Sequence, residues 1–254
     1  MSNEMSLMKR LAVLTTLLAA LLFGFSAIAQ EDVLDAETIL DRVNSAWQGD
    51  SFHGIIALEI VLSGQTKSHK LEVWTLRKEL ALIRVLEPEI DLNSGYLQLG
   101  DELWYYSPTV GPIKLPAMAI GDALFGSGPS LKDLSHGTLS DDYDASADVT
   151  DAGFFLTLIP HLDAPVVYGK LEIWVTADYV MERLVYYDQR GDVLQTAEFS
   201  DVVEMGDRKF ATTIVIEDAF GDRTVECIEL AEFDLELDVS FFSIETFEGW
   251  GDGE

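Results

Sequence analysis

Four histidines are the first residues to weigh for chemistry: His53, His69, His136 and His161. None stands in an HExxH spacing or another close pair that would set two imidazoles around a metal. His53 and His69 could meet across a hairpin; a solvated or core histidine is the alternative reading of each. The chain contains no GxSxG elbow, no GxGxxG turn and no P-loop, so neither an acyl-transfer nucleophile nor a nucleotide site is in view. The run from Asp141 to Asp148 invites calcium. With Asp142 as position 1 of an EF-hand loop, however, Ala147 would stand where Gly is needed and Gly153 where Glu is needed. The run therefore reads as a solvated loop. Arg190-Gly191-Asp192 reads as a hairpin turn. Carboxylate pairs for glycoside chemistry arise by chance among 45 acids and decide nothing. The expectation is a protein with no catalytic residue, metal or cofactor, and so not an enzyme.

The residues left over are apolar and aromatic. Leu103-Trp104-Tyr105-Tyr106, Met118, Leu124-Phe125, Phe154-Phe155, Trp174, Tyr186-Tyr187 and Phe199 fall on or beside segments of period two. Ordinary sheet core would account for any one of them. Together, on a sheet long enough to curl, they suggest an apolar cavity. The wall expected for it takes Ile56, Leu58 and Ile60 from one strand and Leu71 and Val73 from the next. Ile83, Val85, Leu97, Leu99, Trp104 and Tyr106 continue it, and Leu156, Leu158, Leu171 and Ile173 complete it. Phe125 is the expected lid contact. Each assignment depends on strand parity, because a slip of one residue turns a strand's whole set to the other face.

The elements that must position this wall follow from periodicity. Asp35-Ala36-Glu37-Thr38 opens a helical pattern with Ile39, Leu40, Val43, Ala46 and Trp47 on one face, and Gly49 stops it. The period then changes to two through Ile56–Leu62, Leu71–Val73, Ile83–Val85 and Leu97–Leu99. Gly100-Asp101 turns into Glu102–Ser107, and Val110–Leu115 follows. Residues 117–137 are rich in Gly and Pro and read as an insertion with helical pieces at Gly121–Phe125 and Ser130–Leu134. Ser130 and Asp133 have capping-box spacing there. Strands return at Phe154–Leu158, Leu171–Val175, Val180–Asp188, Val193–Val203, Phe210–Glu217 and Arg223–Phe233. Turns are expected at Gln189–Asp192, Gly206-Asp207 and Gly221-Asp222, and a frayed acidic tail over 248–254. The sum is about eleven strands in one curved antiparallel sheet, with an N-terminal helix and a helical lid; residues 30–247 form one domain.

Charge and cysteine usage narrow the function classes. The 254 residues carry 16 Lys+Arg against 45 Asp+Glu, a net of −29, with 48% hydrophobic residues. Such a polyanion is not built for nucleic acid. A lone cysteine, Cys227, excludes an internal disulfide and a thiolate zinc cage, and reads as a buried structural thiol. Met8-Lys9-Arg10, the uncharged run Leu11–Ser26 and Ala27-Ile28-Ala29 form the three parts of a secretory signal peptide over residues 1–29. The rival reading is a membrane anchor, since the apolar run of 19 residues from Leu11 to Ala29 could span a bilayer. Cleavage after about Ala29 leaves an exported chain of 14 basic and 44 acidic side chains, net −30, with no stable membrane insertion.

Several stretches carry a family resemblance: Ala81-Leu-Ile-Arg-Val-Leu-Glu-Pro88, Leu103-Trp-Tyr-Tyr-Ser-Pro-Thr-Val-Gly-Pro-Ile-Lys-Leu-Pro116 and Asp163-Ala-Pro-Val-Val-Tyr-Gly-Lys-Leu171. Tyr186-Tyr-Asp-Gln-Arg-Gly-Asp-Val-Leu194, Glu198-Phe-Ser-Asp-Val202, Leu131-Lys-Asp-Leu134 and Asp142-Tyr-Asp144 stand in matching order. In these the chain resembles the bacterial outer-membrane lipoprotein-sorting proteins of the LolA/LolB-like superfamily. The resemblance implies an unclosed half-barrel of antiparallel strands with helices over its concave face. It implies non-catalytic carriage of a lipid or acylated lipoprotein through the periplasm towards the outer membrane. It also implies an inner-membrane transporter of the RND or ABC type as partner. A periplasmic sensor of lipid or envelope stress, binding a membrane regulator through the same fold, is the alternative function.

Overall fold

The computed structural model describes residues 35–47, 49–77, 79–116, 118–119, 125, 139, 142–164, 166–205 and 208–251. The expected signal peptide, the Gly206-Asp207 turn, His136 and all of the two lid helices except Phe125 lie outside the described residues.

Helix α1 (Ala36–Trp47) begins where the sequence places it. The Asp35 Oδ1 atom accepts the Thr38 N–H at 2.7 Å, capping the first turn. Ile39, Leu40 and Val43 are buried, as the 3.6-residue period requires. Six strands follow: β1 (Ser51–Leu62), β2 (Gln65–Leu76), β3 (Leu80–Glu87), β4 (Gly95–Leu99), β5 (Glu102–Ser107) and β6 (Gly111–Leu115). Seven more are β7 (Tyr143–Thr150), β8 (Gly153–Pro160), β9 (Lys170–Thr176), β10 (Met181–Tyr187), β11 (Val193–Met205), β12 (Arg208–Asp218) and β13 (Arg223–Phe233). All pair antiparallel in one sheet of order β6-β5-β4-β3-β2-β1-β13-β12-β11-β10-β9-β8-β7. Two meanders are thus stitched together where β1 meets β13. β6 and β7 are the free edges, and the sheet does not close. Residues 116–142 lead the chain from one edge to the other. Helix α1 rests on β12 and β7.

Local chemistry sets the connections. Ser63 (φ 49°) and Gly64 (φ 78°) both take positive φ between β1 and β2, the backbone of a two-residue turn that suits the strand twist. The Gly100-Asp101, Gln189–Asp192 and Gly221-Asp222 turns stand where expected.

The fold class is as the sequence reads, with two corrections. Thirteen strands form where about eleven were expected. The acid run read as a solvated loop lies mostly within β7, where Tyr143, Ala145, Ala147 and Val149 alternate with Asp144, Ser146 and Asp148. Its apolar residues are mostly small, so the alternation is faint. Acids on an edge strand also discourage a second sheet from adding there. Tyr143 is buried, and burial pushes its phenol up to about 12. The second correction is at the C-terminus. Residues 248–251, expected to fray, end helix α2 (Ile244–Gly251).

Candidate functional site

Directly paired residues of an antiparallel ladder project to the same side of the sheet. The register therefore assigns every wall residue to a face. One row runs Gly54, Val73, Ile83, Tyr96, Tyr105, Ile113. Another runs Ile60, Thr224, Ile216, Ala197, Leu184, Ile173, Leu156, Ala147 through the other half. Gly54 and Ile60 share a parity in β1, so both rows lie on one face. Eleven expected wall residues stand together on it: Ile56, Leu58, Ile60, Leu71, Val73, Ile83, Val85, Leu156, Leu158, Leu171 and Ile173. All are buried, none more than 5% exposed. Phe125 packs against the same cluster, together with Ala119.

Leu97, Leu99, Trp104 and Tyr106 are on the opposite face, a correction to the expected wall. Leu97 pairs Leu82 and Trp104, and Leu82 pairs Trp74. Both parities of β4 and β5 are apolar, so alternation alone could not choose between them. The Leu80–Leu99–Glu102 alignment chooses. Tyr96 and Leu103 take the missing places on the first face. Phe52, Phe210 and Ala231 also belong to that cluster and were not foreseen. Phe52 and Ala231 become legible only once β1 is paired to β13.

The opposite face is aromatic and is closed by α2. Phe247 is fully buried and stacks on Tyr106 at 5.0 Å. Trp250 stacks on Trp74 at 5.4 Å, and the Arg84 guanidinium lies 4.6 Å over its ring. Asn93 Nδ2 donates to the Trp250 carbonyl at 3.3 Å and accepts from Arg84 Nε at 2.8 Å through Oδ1. Gly95 permits this closure: a Cβ there would lie 1.8 Å from the Ile83 carbonyl and 2.8 Å from the Phe247 ring. His53 belongs to this side. It bridges Glu72 (3.0 Å) and Glu232 (2.8 Å) and stacks on Trp74.

His69 pairs Leu58 and so stands on the aliphatic face. The two histidines do not meet; register and parity keep them apart. The His69 ring stacks on Phe125 with centroids 4.0 Å apart, and its Nδ1 is buried without a hydrogen-bond partner. Burial holds its pKa below the ordinary imidazole value, while Asp91 pulls it upward and Lys67 pushes it further down. Around it opens a cleft of about 480 Å³ lined by Lys67, Ser68, His69, Pro88, Asp91 and Phe125. That volume falls in the range of small-ligand sites, about 300–1,000 Å³. The Asp91 turn is fixed by its N–H donating to Pro88 O (3.0 Å) and by Ser94 Oγ donating to the Asp91 carbonyl (2.6 Å).

Among the described residues no group of three or more His, Cys, Asp or Glu could hold a metal ion. Cys227 is only partly buried, facing the solvent more than a core thiol would. Among the described residues no helix is long and apolar enough to cross a membrane.

A family model described as "Uncharacterized protein"-like matches residues 77–248. The chain belongs to that family. Solved structures extend the likeness to the fold of the LolA superfamily. A LolA superfamily protein from Nitrosomonas europaea is 21% identical, with a TM-score of 0.69 over 83% of this chain and 98% of its own. A putative outer membrane lipoprotein-sorting protein domain from Vibrio parahaemolyticus is 17% identical, with a TM-score of 0.71 over 84% of this chain and 98% of its own. A DUF1329 family protein from Desulfovibrio piger gives 17% identity and a TM-score of 0.71 over 82% of this chain and 96% of its own. No curated protein matches the chain.

Proposed function

We propose that this chain is a non-catalytic periplasmic carrier. It holds the acyl chains of a lipid or lipoprotein on its aliphatic face and moves them towards the outer membrane. The observation that carries this reading is the largely aliphatic face of an unclosed sheet, broken on β13 by the buried Thr224 and Glu226, with the His69 cleft opening beside it. The LolA-superfamily fold supports it.

The energetics constrain how such a carrier works. Acyl chains gain about 0.8 kcal/mol per CH₂ on leaving water, so a palmitoyl chain is worth on the order of 12 kcal/mol. A bilayer offers the same gain. The carrier therefore either matches the membrane closely or is loaded by an energised partner, and an inner-membrane RND- or ABC-type transporter fits that need. Entry requires Ala119 and Phe125 to move off the wall, because the wall residues are already covered. At a net charge of −30 after signal cleavage, the body is repelled by anionic head groups within a Debye length. Docking then falls to a basic surface on the partner.

Native mass spectrometry of the exported protein purified from its own host tests this. A bound acyl lipid, extractable with organic solvent, is expected. A lipid-free protein that also fails to take up a palmitoyl probe from water would overturn the reading.

A further inference from the structure

The cleft beside the aliphatic face carries an unusual pair of charges. Lys67 enters it from β2 and Asp91 from the turn after β3. Neither the ammonium nor the carboxylate has an ion-pair or hydrogen-bond partner among the described residues. Lys70, Lys114, Lys170, Arg183, Arg190, Arg208 and Lys209 each pair with an acid, which leaves Lys67 as the cation at this cleft open to a ligand. Both charges act on His69, from which they pull in opposite senses. His69 itself presents a buried Nδ1 with no partner. Phe125 and Pro88 supply apolar surface, and Phe125 belongs also to the cluster behind it. One end of the cleft is thus continuous with the wall for an acyl chain, while the rim offers one positive and one negative group.

We propose that this cleft binds the zwitterionic head group of an aminophospholipid, its phosphodiester at Lys67 and its primary ammonium at Asp91. The inference rests on the carrier reading and names the cargo class for it. A head group of one sign would gain from one rim residue and be repelled by the other. A zwitterion of phosphate and amine satisfies both, and His69 can hydrogen-bond to a phosphate or ester oxygen through the nitrogen that now lacks a partner.

The test uses the full mature chain and three ligands with the same palmitoyl chain: lysophosphatidylethanolamine, lysophosphatidylglycerol and monopalmitoylglycerol, titrated below micelle formation. The ethanolamine lipid is expected to bind about tenfold more tightly than the glycerol phospholipid, a usual scale for a charge-assisted contact. Asp91→Asn should remove that preference, weakening the ethanolamine lipid and strengthening the glycerol phospholipid, which no longer meets a carboxylate at the rim. Lys67→Met should weaken both phospholipids and leave monopalmitoylglycerol unchanged. Both residues are exposed, so neither change threatens the fold. Equal binding of all three ligands, or a preference for the anionic one, overturns the head-group site and leaves the carrier standing. Binding of none of them overturns both.

Discussion

The two faces of the β1–β5 half of the sheet use different chemistry to stay dry. One is mostly aliphatic: Ile56, Leu58, Leu71, Val73, Ile83 and Val85, with Phe52, Tyr96, His69 and Phe125 among them or at the margin. The other is aromatic: Trp74, Trp104 and Tyr106, covered by Phe241, Phe242, Phe247 and Trp250 from the end of the chain. Rings lock by stacking and by polar handles, and here Arg84, Asn93 and His53 pin them with bonds of fixed geometry. Aliphatic side chains impose no such angles and can repack around a flexible guest. On the proposed carrier reading, the aromatic face serves the fold and the aliphatic face is the one that exchanges its cover for cargo.

The largest effect expected from this contrast is on the aromatic side. Phe247→Ala should cost about 3–5 kcal/mol in chemical denaturation, the usual range for emptying a fully buried phenylalanine site. While the variant is folded, its uptake of a palmitoyl probe should match the parent's. Loss of uptake in folded protein would break the division between the faces. Leu71→Ala, on the aliphatic side, should cost about 2–5 kcal/mol and also weaken probe binding several-fold. Arg84→Met comes next. It removes the cation–π contact with Trp250 and the 3.6 Å pair with Glu72. About 1 kcal/mol of stability should go, with no change in probe affinity.

The sequence made one of these faces far easier to see than the other. In β1, β2, β8 and β9 apolar and polar residues alternate, or apolar size does, and parity follows directly. In Leu103-Trp104-Tyr105-Tyr106 every position is apolar, and only the pairing of Leu99 with Glu102 settles which ring points where. The eight residues of α2 carry two glycines and no basic residue in the last turn, so intrinsic helix signals are weak. Its stability comes from Phe247 and Trp250 meeting partners more than 140 positions earlier, which no local period records. β7 escaped notice because alanine and aspartate alternate there in place of larger apolar residues. The cleft was half legible. Phe125 stood out as an apolar residue in a Gly-rich stretch, but its neighbour His69 could be found only from the structure.

The smallest effect expected is on pH dependence, and it separates the faces by their histidines. Burial lowers the His69 pKa from its ordinary 6.5, so the folded state resists the proton that the unfolded chain accepts. Between those two values the unfolded state binds more protons, and stability rises with pH. The contribution of neutral His69 is thus fully present above about pH 6.5 and is lost as pH falls from there through the folded value. His69→Gln carries no such proton. Its denaturation midpoint should fall less between pH 7.5 and pH 5.5 than the parent's, in parallel urea titrations. A His53→Gln variant serves as the control on the aromatic face. It loses bonds to Glu72 and Glu232 and should be less stable than the parent at pH 7.5. If His69→Gln and the parent traced parallel curves, His69 would not be held neutral by burial. The margin of the aliphatic face would then be wetter than the stacking of Phe125 on its ring implies.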